Sequence, residues 1–237
     1  MVLPPRIAES AFPAEEREAI AFINRTLTDF KSYTDTFRAD VQLFDFSEAA
    51  NEKAINQYQN DRTDQVSLGE YWKFHGWMFI AARDGAMNIY HFGRTRDGIN
   101  ATLAACPTLR KMLSDKMHLA NSQFESHFSN YFQIRHGTAH VEDTHNTLRN
   151  TEKHAITSPA MIAGLLNKPA SGGHVFVDGA LNGRTYTCTW EGKLFSYEIR
   201  EATADKMCVV RDAFYDAFKE AEMWARGVIA QTRRPSP

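Results

Sequence analysis

The sequence predicts a mainly α-helical protein in which a small antiparallel β-meander is inserted before the C-terminal helix. Apolar residues recur at steps of three and four along most of the 237-residue chain, which is the period of an amphipathic helix. The 13 Gly and 8 Pro residues are few for this length, which disfavours a loop-rich all-β fold. Over residues 174–199 the helical period gives way to short runs of β-branched and aromatic residues, which is the pattern of strands.

Helical spacing predicts four segments before the meander. Pro13 opens the first segment and is followed by acidic residues, which favour the positive end of a helix dipole. Cys106 and Pro107 end the third segment, because a proline disfavours helix in the residue that precedes it. Ser114 is the expected N-cap of the fourth segment. The expected helices cover residues 13–30, 34–60, 68–105 and 114–141.

The meander and the last helix complete the predicted fold. Strands are expected at residues 174–178, 184–190 and 193–199, joined by tight turns that contain glycine. The last helix is expected to begin at Thr203 or Asp205. A sheet this small does not bury a core of its own, so we expect a single domain over residues 1–237. Within it, residues 13–145 and 202–230 form the helical bundle and residues 174–199 form the inserted meander.

Composition and charge exclude several classes of protein. A net charge of -2 excludes a generally basic nucleic-acid binder, although a local basic site stays open. The three cysteines, Cys106, Cys188 and Cys208, lie too far apart for a zinc ribbon or a disulfide scaffold, so a reducing cytoplasm is the expected location. No apolar run approaches the roughly 20 residues that span a bilayer, and no membrane association is expected.

The candidate chemistry lies in a histidine-rich segment. Five of the nine histidines fall within residues 127–154, and residues 135–140 read Arg-His-Gly-Thr-Ala-His. His136 and His140 are four residues apart and share a helix face, whereas Arg135 and His140 are about 140° apart on an ideal helix. Arg135 and His140 can therefore contact the same phosphate only under one of three conditions. The long arginine side chain reaches around the helix, the helix is distorted at Gly137, or a second copy of the motif is supplied by another chain.

This motif resembles that of the HEPN superfamily (higher eukaryotes and prokaryotes nucleotide-binding). That motif is an arginine and a histidine separated by four to six residues on a helix of an all-α bundle, often with Asn, Asp or His directly after the arginine. Arg135, His136 and His140 match it position by position. Residues 81–92 also look like the long helix of uncharacterised bacterial HEPN-like proteins.

The resemblance implies a metal-independent endoribonuclease that needs no cofactor. His140 would transfer the proton, Arg135 would bind the phosphate, and His136 would orient the substrate or handle a second proton. A homodimer would bring two motifs together, and the long aromatic helices 68–105 and 114–141 hold enough apolar surface for one.

A non-catalytic HEPN-like module is the alternative, because the inserted meander departs from the minimal HEPN bundle. Such a module would bind RNA, a nucleotide or a partner protein. An antitoxin or a regulatory protein is a candidate partner. The sequence alone leaves open whether the chain is an enzyme.

A metal site is a competing interpretation of the histidine motif. His136 and His140 form a pair that suits a transition metal, with Glu142, Asp143 or His145 as a third ligand, but Gly137 breaks the metalloprotease signature, and we expect no metal.

A polar line on the third helix allows two interpretations. Asp84, Asn88, His91 and Thr95 are spaced by four, three and four residues, with Arg83 beside them. In the first interpretation, a ligand binds against the motif helix through Asp84, His91 and Arg83. In the second, the polar line has no binding role and is either a solvated face or a buried hydrogen-bonded network between packed helices.

Overall fold

The computed structural model describes residues 2–139, 146–156 and 175–232. Helices account for 78 % of the described residues, and a three-stranded antiparallel sheet directly precedes the last helix. The predicted fold class, mainly α with a small sheet before the C-terminal helix, is therefore confirmed. Among the described residues, no helix is both long enough and apolar enough to cross a membrane.

Six α-helices and three strands make up the regular structure of the described residues. The helices are α1 Arg17–Asn60, α2 Gln65–Thr102, α3 Pro107–Phe128, α4 Tyr131–Ala139, α5 Leu148–His154 and α6 Glu201–Thr232. The strands are β1 Ala180–Asn182, β2 Thr185–Trp190 and β3 Lys193–Glu198, and they lie in that order in the sheet. Short 3-10 turns occur at Glu9–Ala11, Ala14–Glu16 and Leu103–Ala105.

The chain forms two compact units. The first unit comprises Met1–Asp35, His91–Ser129 and Ala204–Pro237, and the second comprises Thr36–Tyr90 and Asn130–Thr203. The predicted single domain over residues 1–237 stays a prediction. In the first unit, the ring of Phe30 packs against those of Phe92 and Phe214, with centroids 4.9 and 4.8 Å away. In the second unit, the sheet packs against α4, which carries the motif.

α1 is one helix where the sequence predicted two, at 13–30 and 34–60. The segment between them contains neither Gly nor Pro. The hydroxyl of Thr34 donates a 2.8 Å hydrogen bond to the carbonyl of Phe30, one turn earlier. Lys31 and Asp35 form an ion pair at the i,i+4 spacing that stabilises a helix. The weak apolar pattern after residue 34 therefore does not mark a break in the helix.

The helix predicted from Ser114 to about Val141 is also wrong in its bounds. α3 begins seven residues earlier, at Pro107, which suits a first helical position because proline has no N–H to satisfy. The carboxylate of Glu16 caps this end by accepting from the backbone N–H and the hydroxyl of Thr108, at 3.2 and 2.7 Å. The chain then turns at residues 129–130, so the predicted helix is divided in two and Arg135 lies on the separate helix α4.

The second and third predicted strands are confirmed to within one residue, but the first strand is wrong. Tight turns set the register: Asn182 pairs with Thr185, and Gly183 in the turn has φ +54°. β1 must therefore lie directly before Gly183, at Ala180–Asn182, rather than at 174–178. Val177 bonds to Thr189 outside the sheet ladder, and His174 lies outside the described residues.

The sheet approaches α4 closely because Gly137 has no side chain. A Cβ built on Gly137 would lie 2.7 Å from Sγ of Cys188 and 3.1 Å from the carbonyl oxygen of Thr189, both in β2. Ile134 and Thr138 flank Gly137 on the same face of α4 and are buried. The fold thus turns one face of the motif helix toward the sheet.

We predict that Gly137→Ala lowers the free energy of unfolding by about 1–3 kcal/mol, because the added methyl group overpacks the α4–β2 contact. Gly69→Ala is the matched control, since a Cβ at Gly69 in α2 meets nothing within 4 Å. That change should be stabilising by about 0.5–1 kcal/mol. Urea unfolding followed by circular dichroism measures both. Equal effects of the two substitutions would contradict the close contact.

Candidate functional site

Arg135 lies on α4 beside a ring of α2. Its guanidinium carbon is 5.2 Å from the ring centroid of Tyr90, which is within the range of a cation–π contact. The side chain of Arg135 is half-buried. The ring of Tyr90 also lies 6.3 Å from those of Tyr131 and Phe132. The guanidinium is therefore held against an aromatic surface rather than extended into solvent.

His136 follows Arg135 by a rotation of about 100° and faces a different pair of rings. Its imidazole centroid is 4.3 Å from that of Phe132 and 4.9 Å from that of Trp190 in β2, and its plane is inclined by 30° to the indole. The side chain of Phe132 is 42 % exposed, so this aromatic group borders solvent. Trp190 and Phe132 therefore fix the position of His136.

His154 supports the same tryptophan from α5. Its ring centroid lies 4.3 Å from that of Trp190, and its Nδ1 accepts a 3.0 Å hydrogen bond from the backbone N–H of Glu191. Burial, and then the positive charge of Lys153, lower the pKa of His154, while Glu191 opposes them. A neutral imidazole suits this acceptor role. The sequence assigned His154 no role, because its bond to a β-turn 37 residues away has no local signal.

The structure places Arg135 and His136 but not the third motif residue. His140 lies outside the described residues, as do Glu142, Asp143 and His145. Within the ranges that the structure describes, no three His, Cys, Asp or Glu side chains are grouped so that they could hold a metal ion.

Arg83 and Asp84 lie at a cavity of the second unit, next to the motif helix. The cavity has a volume of about 520 Å³. Its polar lining comes from Arg83 and Asp84 of α2, Asp40 of α1 and Thr138 of α4. The rest of the lining is aliphatic: Leu43, Ile80, Ala81, Met87 and Ala139. The structure therefore brings two of the three predicted ligand-binding residues to one cavity.

His91 is the third predicted ligand-binding residue, and it belongs to the first unit. There its ring stacks on that of Tyr33, with centroids 5.5 Å apart. Asn88, one turn before His91 on α2, is buried and bonds to Asp40. For Asn88, the interpretation as a buried hydrogen-bonded network between helices is the right one.

Asp40 is the residue of this cavity that sequence reasoning missed. It is buried, and its Oδ2 accepts a 2.7 Å hydrogen bond from Asn88. Burial raises the pKa of Asp40 to about 7, the bond from Asn88 opposes the rise, and the charge of Asp84 and a hydrogen bond with it add to the rise. The signal in the sequence was its place three residues after Phe37, within an apolar stripe where a carboxyl group is costly.

Comparisons of the chain with protein-family models, with curated proteins and with solved structures find no match.

We predict that Asp40→Asn stabilises the protein at pH 8 and flattens its pH dependence. The folded state keeps the Asp40 proton to about pH 7, whereas an ordinary aspartate loses it near pH 4, so the unfolding free energy falls as the pH rises between these values. The slope is at most about 1.4 kcal/mol per pH unit. Asparagine at position 40 has an amide that replaces the protonated carboxyl group in both hydrogen bonds.

Urea unfolding at pH 5 and pH 8 checks this prediction, with Asp216→Asn on the exposed face of α6 as the matched control. The control should behave like the unmodified protein. A lower unfolding free energy of Asp40→Asn at pH 8 would show that the ionised Asp40 carboxylate does not destabilise the folded state. The raised pKa of Asp40 would then be wrong.

Proposed function

We propose that this chain is a HEPN-like endoribonuclease that cleaves single-stranded RNA without a metal. The observation that supports the proposal best is the neighbourhood of Arg135 and His136. One helix turn presents a guanidinium and an imidazole among partly exposed rings, those of Tyr90, Phe132 and Trp190. Cation, proton carrier and stacking surface are the three components that recognition and cleavage of unpaired RNA require.

The rings supply the binding step. Proteins recognise single-stranded RNA by stacking its unpaired bases on aromatic side chains and on the plane of arginine. Phe132 is well exposed and lies against His136, so a base stacked on Phe132 would bring its own phosphate close to α4. The net charge of -2 over the whole chain suits a local contact of this kind better than a broad electrostatic one.

The motif residues supply the chemistry. The ribose 2′-hydroxyl gives its proton to an imidazole and attacks the adjacent phosphorus, and the bond from phosphorus to the 5′-oxygen breaks as a second acid protonates that oxygen. The products are a 2′,3′-cyclic phosphate and a 5′-hydroxyl. His140 is the proposed proton-transfer residue, with His136 orienting the substrate or carrying the second proton. Arg135, braced on Tyr90, binds the phosphoryl oxygens and stabilises their developing charge.

A homodimer is part of the proposal. One chain contains one motif, whereas acid and base are both needed at one phosphate. A two-fold axis beside α4 would present two arginines and two sets of histidines to the same strand. Cellular control of such an enzyme would fall to an antitoxin or another regulatory protein that covers this surface.

We predict that purified protein cleaves mixed single-stranded RNA in the presence of EDTA and that His140→Ala abolishes the cleavage. Arg135→Ala should lower the rate by about 10²–10³-fold, the usual loss for a preorganised charge donor. His136→Ala should cost less. His118→Ala, at an exposed histidine of α3, is the matched control and should retain full activity.

Two outcomes would contradict the proposal that the chain is an endoribonuclease. Equal cleavage by the unmodified protein and by His140→Ala would mean that a contaminating nuclease is responsible. RNA binding without cleavage would favour the non-catalytic binding module, which the ring contacts of Arg135 and His136 also suit.

We predict that Phe132→Ala weakens binding of a fluorescently labelled single-stranded RNA by about 1–3 kcal/mol, the value of one stacked base. Phe22→Ala is the matched control, because Phe22 has a similar exposure, 38 %, and lies in the first unit. Fluorescence anisotropy measures both affinities in EDTA with a cleavage-deficient His140→Ala background. An equal effect of the two substitutions would remove Phe132 from the binding surface.

A further inference from the structure

The cavity of the second unit combines an apolar wall with a pair of interacting carboxyl groups. Five apolar residues form the wall, and the carboxyl groups of Asp40 and Asp84 both lie at its polar side. Asp40 is 6 % exposed, whereas Asp84 lies on the exposed rim. At about 520 Å³ the cavity has the size of a small-molecule site. The HEPN-like proposal assigns this cavity no role.

We propose that this cavity binds a small organic cation, an amidinium or guanidinium group carried on an apolar body. The planar fork of such a group matches a carboxylate and donates to both of its oxygens. The apolar body fits against Ile80, Met87 and Leu43. Thr138 and Ala139 also line the cavity, so the bound cation contacts the helix that carries Arg135 and His136.

The charges in the cavity favour a monocation over other occupants. Once Asp40 has lost its proton, the carboxylates of Asp40 and Asp84 and the guanidinium of Arg83 sum to one negative charge, which one positive ligand neutralises. An anion would face both carboxyl groups, and a neutral apolar molecule would leave Asp40 against hydrocarbon. Among the described residues, the cavity does not bring together three His, Cys, Asp or Glu side chains that could hold a metal ion.

Binding of the cation should release a proton. In the free protein Asp40 holds its proton up to about pH 7, and a cation beside it favours the ionised form. Among the described residues, the other charged or titratable groups near Asp40 are Asp84 and Arg83 from α2 and the buried Tyr197 from β3. Burial holds the pKa of Tyr197 well above its usual range, and the described residues of α4 at the cavity, Thr138 and Ala139, carry no titratable group, so we expect the released proton to come from Asp40.

Calorimetric titration of the full chain with benzamidinium tests the proposal. The titrations are run in EDTA at pH 6 and pH 8, each in two buffers of different ionisation enthalpy. We expect saturable binding, about one proton released per ligand at pH 6 and almost none at pH 8, and an affinity about tenfold higher at pH 8. Benzamide, the neutral isostere, should bind at least about tenfold more weakly and release no proton.

Two variants and one control locate the site. Asp84→Asn, on the exposed rim, and Asp40→Asn should each weaken benzamidinium binding at pH 8 by at least about tenfold, and Asp40→Asn should abolish proton release. Asp61→Asn, at an exposed turn, should change neither quantity. The proposal is overturned by an absence of saturable binding at millimolar probe, by equal binding of benzamide, or by unchanged affinity in Asp84→Asn. None of these results bears on RNA cleavage, which is measured separately.

Discussion

The close contact between α4 and β2 at Gly137 is the constraint on which the candidate site depends. Because Gly137 has no side chain, the helix lies within van der Waals distance of Cys188 and of the β2 backbone. This contact sets the rotation of α4 about its axis. Once Ile134, Gly137 and Thr138 face the sheet, the helical step of about 100° directs Arg135 toward Tyr90 and leaves His136 against Trp190.

The helix α4 contributes residues both to the Arg135–His136 motif and to the cavity of the second unit. Arg135 and His136 lie in the second half of α4 among aromatic rings, and Thr138 and Ala139, three residues further on, line the cavity that holds Asp40 and Asp84. The buried hydroxyl of Thr138 donates to the carbonyl of Ile134, so this turn of α4 is internally bonded at the cavity wall. A ligand in the cavity would therefore contact the motif helix directly.

Local periodicity predicted the helical fold and the second and third strands, because these depend on patterns within a few residues. The continuity of α1 was not predictable in this way, since the hydroxyl bond of Thr34 replaces the missing apolar signal. The start of α3 depends on Glu16, 92 residues from Thr108 in sequence. Arg135 and His136 were found by motif, whereas Asp40 required the folded neighbours Asn88 and Asp84 to show its raised pKa.

Photo-crosslinking with single-stranded RNA that contains 4-thiouridine is the most direct test of the central claim, that the ring-lined motif helix is an RNA site. Mass spectrometry of the crosslinked peptides would identify the contacting residues. The account predicts crosslinks within Tyr131–Ala139 and at Trp190, competed away by unlabelled RNA. Crosslinks confined to α3 or α6 of the first unit, or no crosslink above background, would contradict it.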